Sequence, residues 1–264
     1  VVNEVGAYGR PRVQTKFIFM TDNKMRTEIL NIDKGQCLTD VLPAIPANTI
    51  FDKTITGCGA THSEIVNAAR HSIIIEPNIP VILGKKAEHP FLFAVYEGIT
   101  KEDVKAYLAG EHDGYRKIIT TPEGFDKKVL PAMHELEIPV YKDYFLLFDE
   151  CEKAIQDVGY RGDIYLPVED FFKFENKAMV SATPIVPSDP RFEENGFKIL
   201  KLVPTYDSRI ELTLCTTNNT VAVMRKLLKR LENETVCVFL NSTETILSLI
   251  YALRLQGRSR VFCI

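Results

Sequence analysis

Short apolar runs that end on small or polar side chains recur along the middle of the chain. They predict core strands near residues 50–55, 72–76, 91–95, 116–121, 144–149, 178–182 and 197–203. The runs are continuous and do not alternate, as expected of strands buried on both faces of a parallel sheet. Stretches with helical spacing separate them, near residues 61–70, 80–88, 101–109, 123–136 and 151–157. Strand and helix therefore alternate from residue 50 to about 205 in the rhythm of βαβ units. The fold class this predicts is α/β, a mostly parallel central sheet flanked by helices.

Both ends of that region change character. Lys16–Met20 and Arg26–Ile32, around the polar turn Thr21-Asp22-Asn23-Lys24, predict a small β-hairpin forming an accessory sheet within residues 1–48. After a break near Pro204 to Arg209 come a strand (210–215), a helix (221–232), a strand (236–240), a helix (243–255) and a strand (260–264). These read as the opening of a second α/β domain with too few strands to close a core, so the sequence reads as a piece of a longer protein. The expected division is 1–48 lead-in, 49–207 first α/β domain and 208–264 partial second domain.

Composition narrows the class without deciding it. Of 264 residues, 45% are hydrophobic and 25% charged, which suits a globular domain with a sizeable core. The net charge of −3 argues against a uniformly basic coat for indiscriminate DNA binding, while leaving room for a local basic groove. Six cysteines without a CxxC pair read as free thiols of a reducing cytoplasm, and five histidines show no ligand spacing. No apolar stretch approaches the length of a membrane span, so no membrane partner is expected.

The chemistry is concentrated at strand ends. Tyr144-Phe145-Leu146-Leu147-Phe148 runs directly into Asp149-Glu150-Cys151-Glu152. A buried parallel strand would deliver these acids to its C-terminal edge, where open α/β sheets bind ligands. Nucleotide hydrolysis needs such a pair, one carboxylate to help hold Mg²⁺ and one to orient water. Upstream, Thr49 to Thr56 leads into Gly57-Cys58-Gly59-Ala60-Thr61 and then a helical pattern. Strand, glycine turn and helix is the context of a phosphate-binding loop, because glycines let backbone N–H groups wrap an anion. A tight strand-to-helix turn without a ligand would look the same. Ser72 to Asn78, Lys117 to Gly124 and Ala178 to Pro184 repeat the strand-to-loop design.

Taken in order, GCGAT (57–61), IIIEPN (73–78), TTPEG (120–124), DECE (149–152) and SATP (181–184) resemble motifs I, Ia, Ib, II and III of superfamily 2 helicases, the DEAD/DEAH-box-like group of P-loop ATPases. The resemblance covers residues 49 to 184, and an echo of motif IV follows at Val236 to Ser242. It implies a RecA-like P-loop NTPase domain followed by the start of a second, with ATP and Mg²⁺ as cofactors and DNA or RNA as partner. It places Gly57, Cys58, Gly59, Ala60 and Thr61 around the phosphates, with Thr61 and Asp149 toward Mg²⁺. Asp149 and Glu150 become catalytic, Ser181 and Thr183 couple the nucleotide site to nucleic acid, and Pro77, Asn78, Thr121, Pro122 and Glu123 touch a nucleic-acid backbone. The missing C-terminal RecA-like domain, with motifs V and VI and an arginine finger, would be a further partner. Such a finger is worth on the order of 10³ to 10⁵ in rate, so the chain as given is expected to hydrolyse ATP negligibly.

One departure divides the readings. Ala60 stands where the motif carries its lysine, a point charge on the terminal phosphates. Lys53 lies in the preceding strand and is expected to be out of reach of the loop, and His62 would need an altered loop shape. The leading reading is an ATP-dependent helicase or translocase, and the alternative is a catalytically inactive helicase-like binding or scaffold module. A P-loop protein unrelated to nucleic acid is opposed by the TTPEG and SATP segments. Glu152 replaces the motif's usual residue, Cys151 reads as a small filler, and Arg225-Lys226 with Lys229-Arg230 reads as a solvated helix face.

Overall fold

The computed structural model describes residues 25–151, 168–183, 189–207, 216–230, 236–240 and 242–257. The chain forms two compact units, Val1–Tyr206 and Asp207–Ile264.

In the first unit eight strands make one all-parallel sheet: β1 (Thr27–Ile32), β2 (Thr49–Asp52), β3 (His71–Ile75), β4 (Phe93–Val95), β5 (Lys117–Thr120), β6 (Tyr144–Asp149), β7 (Asn176–Ser181) and β8 (Lys198–Pro204). Their order across the sheet is β1-β8-β2-β7-β6-β3-β5-β4. The chain moves outward through β1, β2, β3 and β4, then returns through β5, β6, β7 and β8. Parallel crossovers keep one hand, so outward and returning connections cover opposite faces.

The core divides accordingly. On one face, α1 (Leu38–Val41), α2 (Ala60–Val66) and α3 (Ile79–Glu88) bury Leu38, Ile65 and Ile82 against Ile74, Ile119, Phe145 and Leu147. On the other lie α4 (Lys101–Ala109), α5 (Pro122–Gly124), α6 (Leu130–Glu135), α7 (Val140–Asp143), α8 (Val168–Lys173) and α9 (Pro190–Glu194). They pack Val104, Phe125, Met133 and Phe171 on Ile73, Ile118, Leu146 and Phe148. Adjacent residues of β6 thus point to different cores, which is why its run is apolar throughout. Each fully buried side chain of this kind contributes about 1.5–3 kcal/mol.

The helix expected over 123–136 is real but not uniform. Its middle, Phe125–Val129, is a π-turn in which the Leu130 N–H donates to the Phe125 carbonyl. Pro131 follows. In a regular α-turn its ring would press on the carbonyl of Lys127, and the wider turn relieves that clash. Short helices α1, α7, α8 and α9 were not expected from the sequence, being too brief to display a 3.6-residue period.

Thr27–Ile32, expected in a separate accessory sheet, belongs to the main sheet. It runs parallel to β8, in register Thr27 with Ile199 through Ile32 with Pro204, as an outer strand of the main sheet. The other expected arm, 16–20, and residues 152–157 of the helix expected at 151–157 lie outside the described residues. In the second unit α10 (Thr220–Arg230) and α11 (Thr243–Ala252) match two expected helices. Arg225, Lys226, Lys229 and Arg230 are all exposed on α10. Residues 236–240 have no sheet pairing among the described residues, and 210–215 and 260–264 lie outside them.

A charged cluster ties α2 to the N-terminal ends of β3 and β5. The fully buried Glu64 carboxylate accepts from Arg70 (Nε at 3.1 Å, Nη2 at 2.5 Å) and from Ser72 Oγ at 2.5 Å. Lys117 Nζ donates to Ser72 Oγ at 2.9 Å and lies 3.6 Å from Glu64. Burial pulls the Lys117 ammonium down to about 8, against the opposing charge of Glu64. Removing one partner of a buried charge set typically costs about 3–5 kcal/mol. Glu64→Ala is therefore expected to lower unfolding stability by that order in urea denaturation. A loss no larger than that of an exposed control, Glu102→Ala, would contradict this.

Candidate functional site

β7 lies between β2 and β6 in the sheet, so the loop that follows β2 and the acids that end β6 emerge at the same, C-terminal edge. The Thr61 hydroxyl donates a hydrogen bond to Asp149 Oδ2. Asp149 is 2% exposed, and its Oδ1 accepts the Glu150 backbone N–H at 3.0 Å. The structure thus brings together Thr61, Asp149 and Glu150, three of the residues singled out from the sequence.

The loop itself has the backbone its glycines permit. Gly57 (φ 74°) and Gly59 (φ 88°) occupy left-handed conformations, and no atom lies within 4 Å of where a Cβ would point. Any other residue would strain these turns. Cys58 is buried, its carbonyl accepts the Leu38 N–H at 2.8 Å, and burial pushes its thiol pKa up. Ala60 begins α2 and is only 4% exposed, its methyl belonging to the second core.

Lys53 follows β2 directly, is 8% exposed, and its Nζ lies 2.6 Å from Glu150 Oε1 and 3.4 Å from Asp149 Oδ1. Burial lowers its pKa, but the two carboxylates outweigh that effect and hold the ammonium charged, well above the ordinary lysine value. Lys53, considered from the sequence only in relation to the loop, thus meets the acids at the end of β6. Its neighbours are strained: Thr54 (φ 43°) and Glu150 (φ 50°) both sit in the left-handed region that disfavours side chains. Thr54 is held there by its hydroxyl bond to the Leu202 carbonyl at 2.5 Å and by its N–H to Asp52 Oδ1 at 3.1 Å. Such outliers persist only where surrounding structure fixes them, and they concentrate at functional sites.

Glu76, just past the end of β3 within the IIIEPN segment, is a third carboxylate at this edge. It is 2% exposed and accepts the Asn78 backbone N–H (2.9 Å) and side-chain amide (2.7 Å). Burial foremost, then the charge of Asp149, raises its pKa to about 7, although the Asn78 bonds act in the opposite direction.

The remaining expected residues are occupied locally. Ser181 ends β7, is fully buried, and its Oγ accepts the Thr183 N–H at 2.9 Å, with Thr183 itself exposed. The Ser181 carbonyl accepts the Lys53 N–H at 2.9 Å, which joins this turn to the site. Thr121 caps α5 by accepting the Gly124 N–H at 3.0 Å, Pro122 is buried, and Glu123 is exposed. Pro77 and Asn78 are partly exposed beside Glu76. Gly124 is required by packing: a Cβ there would meet Thr120 Oγ1 at 2.5 Å. Glu152 lies outside the described residues.

These residues fit the donor set of a magnesium–nucleotide site. Thr61 donates its proton to Asp149 and keeps oxygen lone pairs for a hard cation, and the glycine loop follows β2 after Lys53–Thr56.

The Glu76 shift has a testable sign. Between pH 4.5 and about 7 the folded chain holds a proton on Glu76 that the unfolded chain has lost. Stability therefore falls as pH rises through that window, by at most about 3 kcal/mol for this group. Glu76→Gln should raise thermal stability at pH 8 and bring no gain at pH 4. A pH-independent difference between the two melting curves would refute the assignment.

No protein-family model and no curated protein matches the sequence. Solved structures do match its fold. One is the crystal structure of the DUF1998 helicase MrfA, with a TM-score of 0.54 and 13% identity over 83% of this chain. The chain spans 38% of the length of that helicase. At this identity the likeness concerns architecture: the chain has a helicase-like, RecA-like α/β fold built on an eight-stranded parallel sheet.

Proposed function

We propose that this chain carries the nucleotide-binding half of an ATP-dependent nucleic-acid helicase or translocase, related to the DEAD/DEAH-box-like group. The observation that carries this reading is the convergence of Thr61, Asp149 and Glu150 where β2 and β6 end. Thr61 Oγ and Asp149 would hold Mg²⁺, the loop Gly57–Thr61 would surround the phosphates, and Glu150 would orient the attacking water. Bound Mg²⁺ supplies charge neutralisation at the terminal phosphates. Ser181 and Thr183 would link this edge to nucleic acid, DNA or RNA, contacted at Pro77, Asn78, Thr121, Pro122 and Glu123. Backbone and hydroxyl contacts from such loops would position phosphates without reading bases.

A second reading, an inactive helicase-like binding or scaffold module, is favoured by Ala60 and by the ion pair that Lys53 makes with both acids.

Calorimetry with Mg²⁺-ATP and the full chain separates the two. Measurable binding is expected, weakened by about tenfold or more in Thr61→Ala and Asp149→Asn, since losing a metal-site group costs about 10–100-fold. Glu150→Gln should keep most of the affinity, because its role lies in the hydrolytic step. Absence of binding, or binding indifferent to Thr61 and Asp149, would leave the scaffold reading.

A further inference from the structure

A site for terminal phosphates needs a fixed cation, and the loop Gly57–Thr61 has none, because Ala60 fills the lysine's place. A charged group nevertheless stands at this edge. The Lys53 ammonium and the Thr61 hydroxyl bind opposite oxygens of one carboxylate, Oδ1 and Oδ2 of Asp149. The ammonium and the hydroxyl of the residue that closes the glycine loop are therefore bridged by a single carboxylate. We propose that Lys53, rather than a loop lysine, is the phosphate-contacting cation of this site, for a nucleoside di- or triphosphate. This rests on the nucleotide-binding reading above and names the residue that would make it work.

Three features of the chain support the assignment. Lys53 is anchored at both ends of its own peptide, with its N–H on the Ser181 carbonyl and its carbonyl turned onto the Ile55 N–H, so its stem starts from a fixed point. Its side chain is almost wholly buried and ends at the carboxylates instead of in solvent. It also stands between the end of β2 and the loop, with only Thr54, Ile55 and Thr56 separating it from Gly57. Without a ligand, the ammonium offsets repulsion between Asp149 and Glu150. With a phosphate group in the loop, Lys53 would exchange one carboxylate partner for a phosphate oxygen. The strained conformation of Thr54 fixes the direction in which the chain leaves Lys53.

The test compares Mg²⁺-ADP with Mg²⁺-AMP by calorimetry on the full chain, in wild type, Lys53→Ala and Lys53→Gln, with Thr61→Ala in parallel. The glutamine variant keeps an N–H donor for the carboxylates and guards against loss of fold, which thermal melting monitors. Loss of the phosphate contact should weaken ADP about tenfold or more in both Lys53 variants and AMP by less than about threefold, because one charged contact to a phosphate is worth roughly a decade in affinity. Equal losses for ADP and AMP, as a purely structural lysine would give, would overturn the proposal. So would ADP binding that falls in Thr61→Ala but not in the Lys53 variants, a result that leaves the loop assignment standing. Failure of wild type to bind either nucleotide would remove the nucleotide reading and this inference together.

Discussion

The position of β7 between β2 and β6 is the constraint on which the rest of this molecule depends. Parallel pairing aligns Asp52 with Ser181 and Asp149 with Val180, so the three strands end almost level. A glycine loop, a pair of acids and a serine turn then leave the sheet side by side. The Thr61–Asp149 hydrogen bond and the Lys53 contacts follow from that alignment, and a shift of register would dissolve both. The same topology separates outward from returning helices, and so gives the sheet two cores and its strands apolar residues on both faces.

Charge balance at the two ends of the sheet follows one rule with different results. At the N-terminal end Glu64 is matched by Arg70 and Lys117 and completed by Ser72, a closed set whose role is to fasten α2 to the strands. At the C-terminal end Glu76, Asp149 and Glu150 lie near Lys53, burial and then the charge of Asp149 raise the pKa of Glu76, and Thr54 and Glu150 hold left-handed backbone. Buried carboxylates that are not fully compensated shift toward the neutral form.

Much of the fold could be read from local pattern. The continuous apolar run of β6, the strand ends at Ile75, Thr120 and Ser181, and the glycine turn at Gly57–Gly59 all declare themselves in the sequence, because burial on two faces and left-handed backbone each demand particular residue types. The meeting of Thr61 with Asp149 was expected on the same grounds, since both follow parallel strands and such strands end at one edge. What sequence could not supply was partnership across distance. Thr27–Ile32 has the look of a hairpin arm, and its parallel pairing with β8 is decided by residues about 170 positions away. The four-residue helices have too little length to show a period, and the π-turn before Pro131 appears only when the whole helix is packed.

The same distinction holds within the site. The sequence by itself determined that small, hydroxylated and acidic residues follow buried strands, because each strand announces where it ends. Only the tertiary structure decided that Lys53 turns back from the end of β2 onto acids 96 and 97 positions further along the chain. It likewise decided that Glu76 is sealed beside Asp149, and that the glycine of TTPEG is there for want of space against Thr120. Strand character is a property of consecutive residues, whereas the environment of a charge is set by whichever strands the topology makes its neighbours.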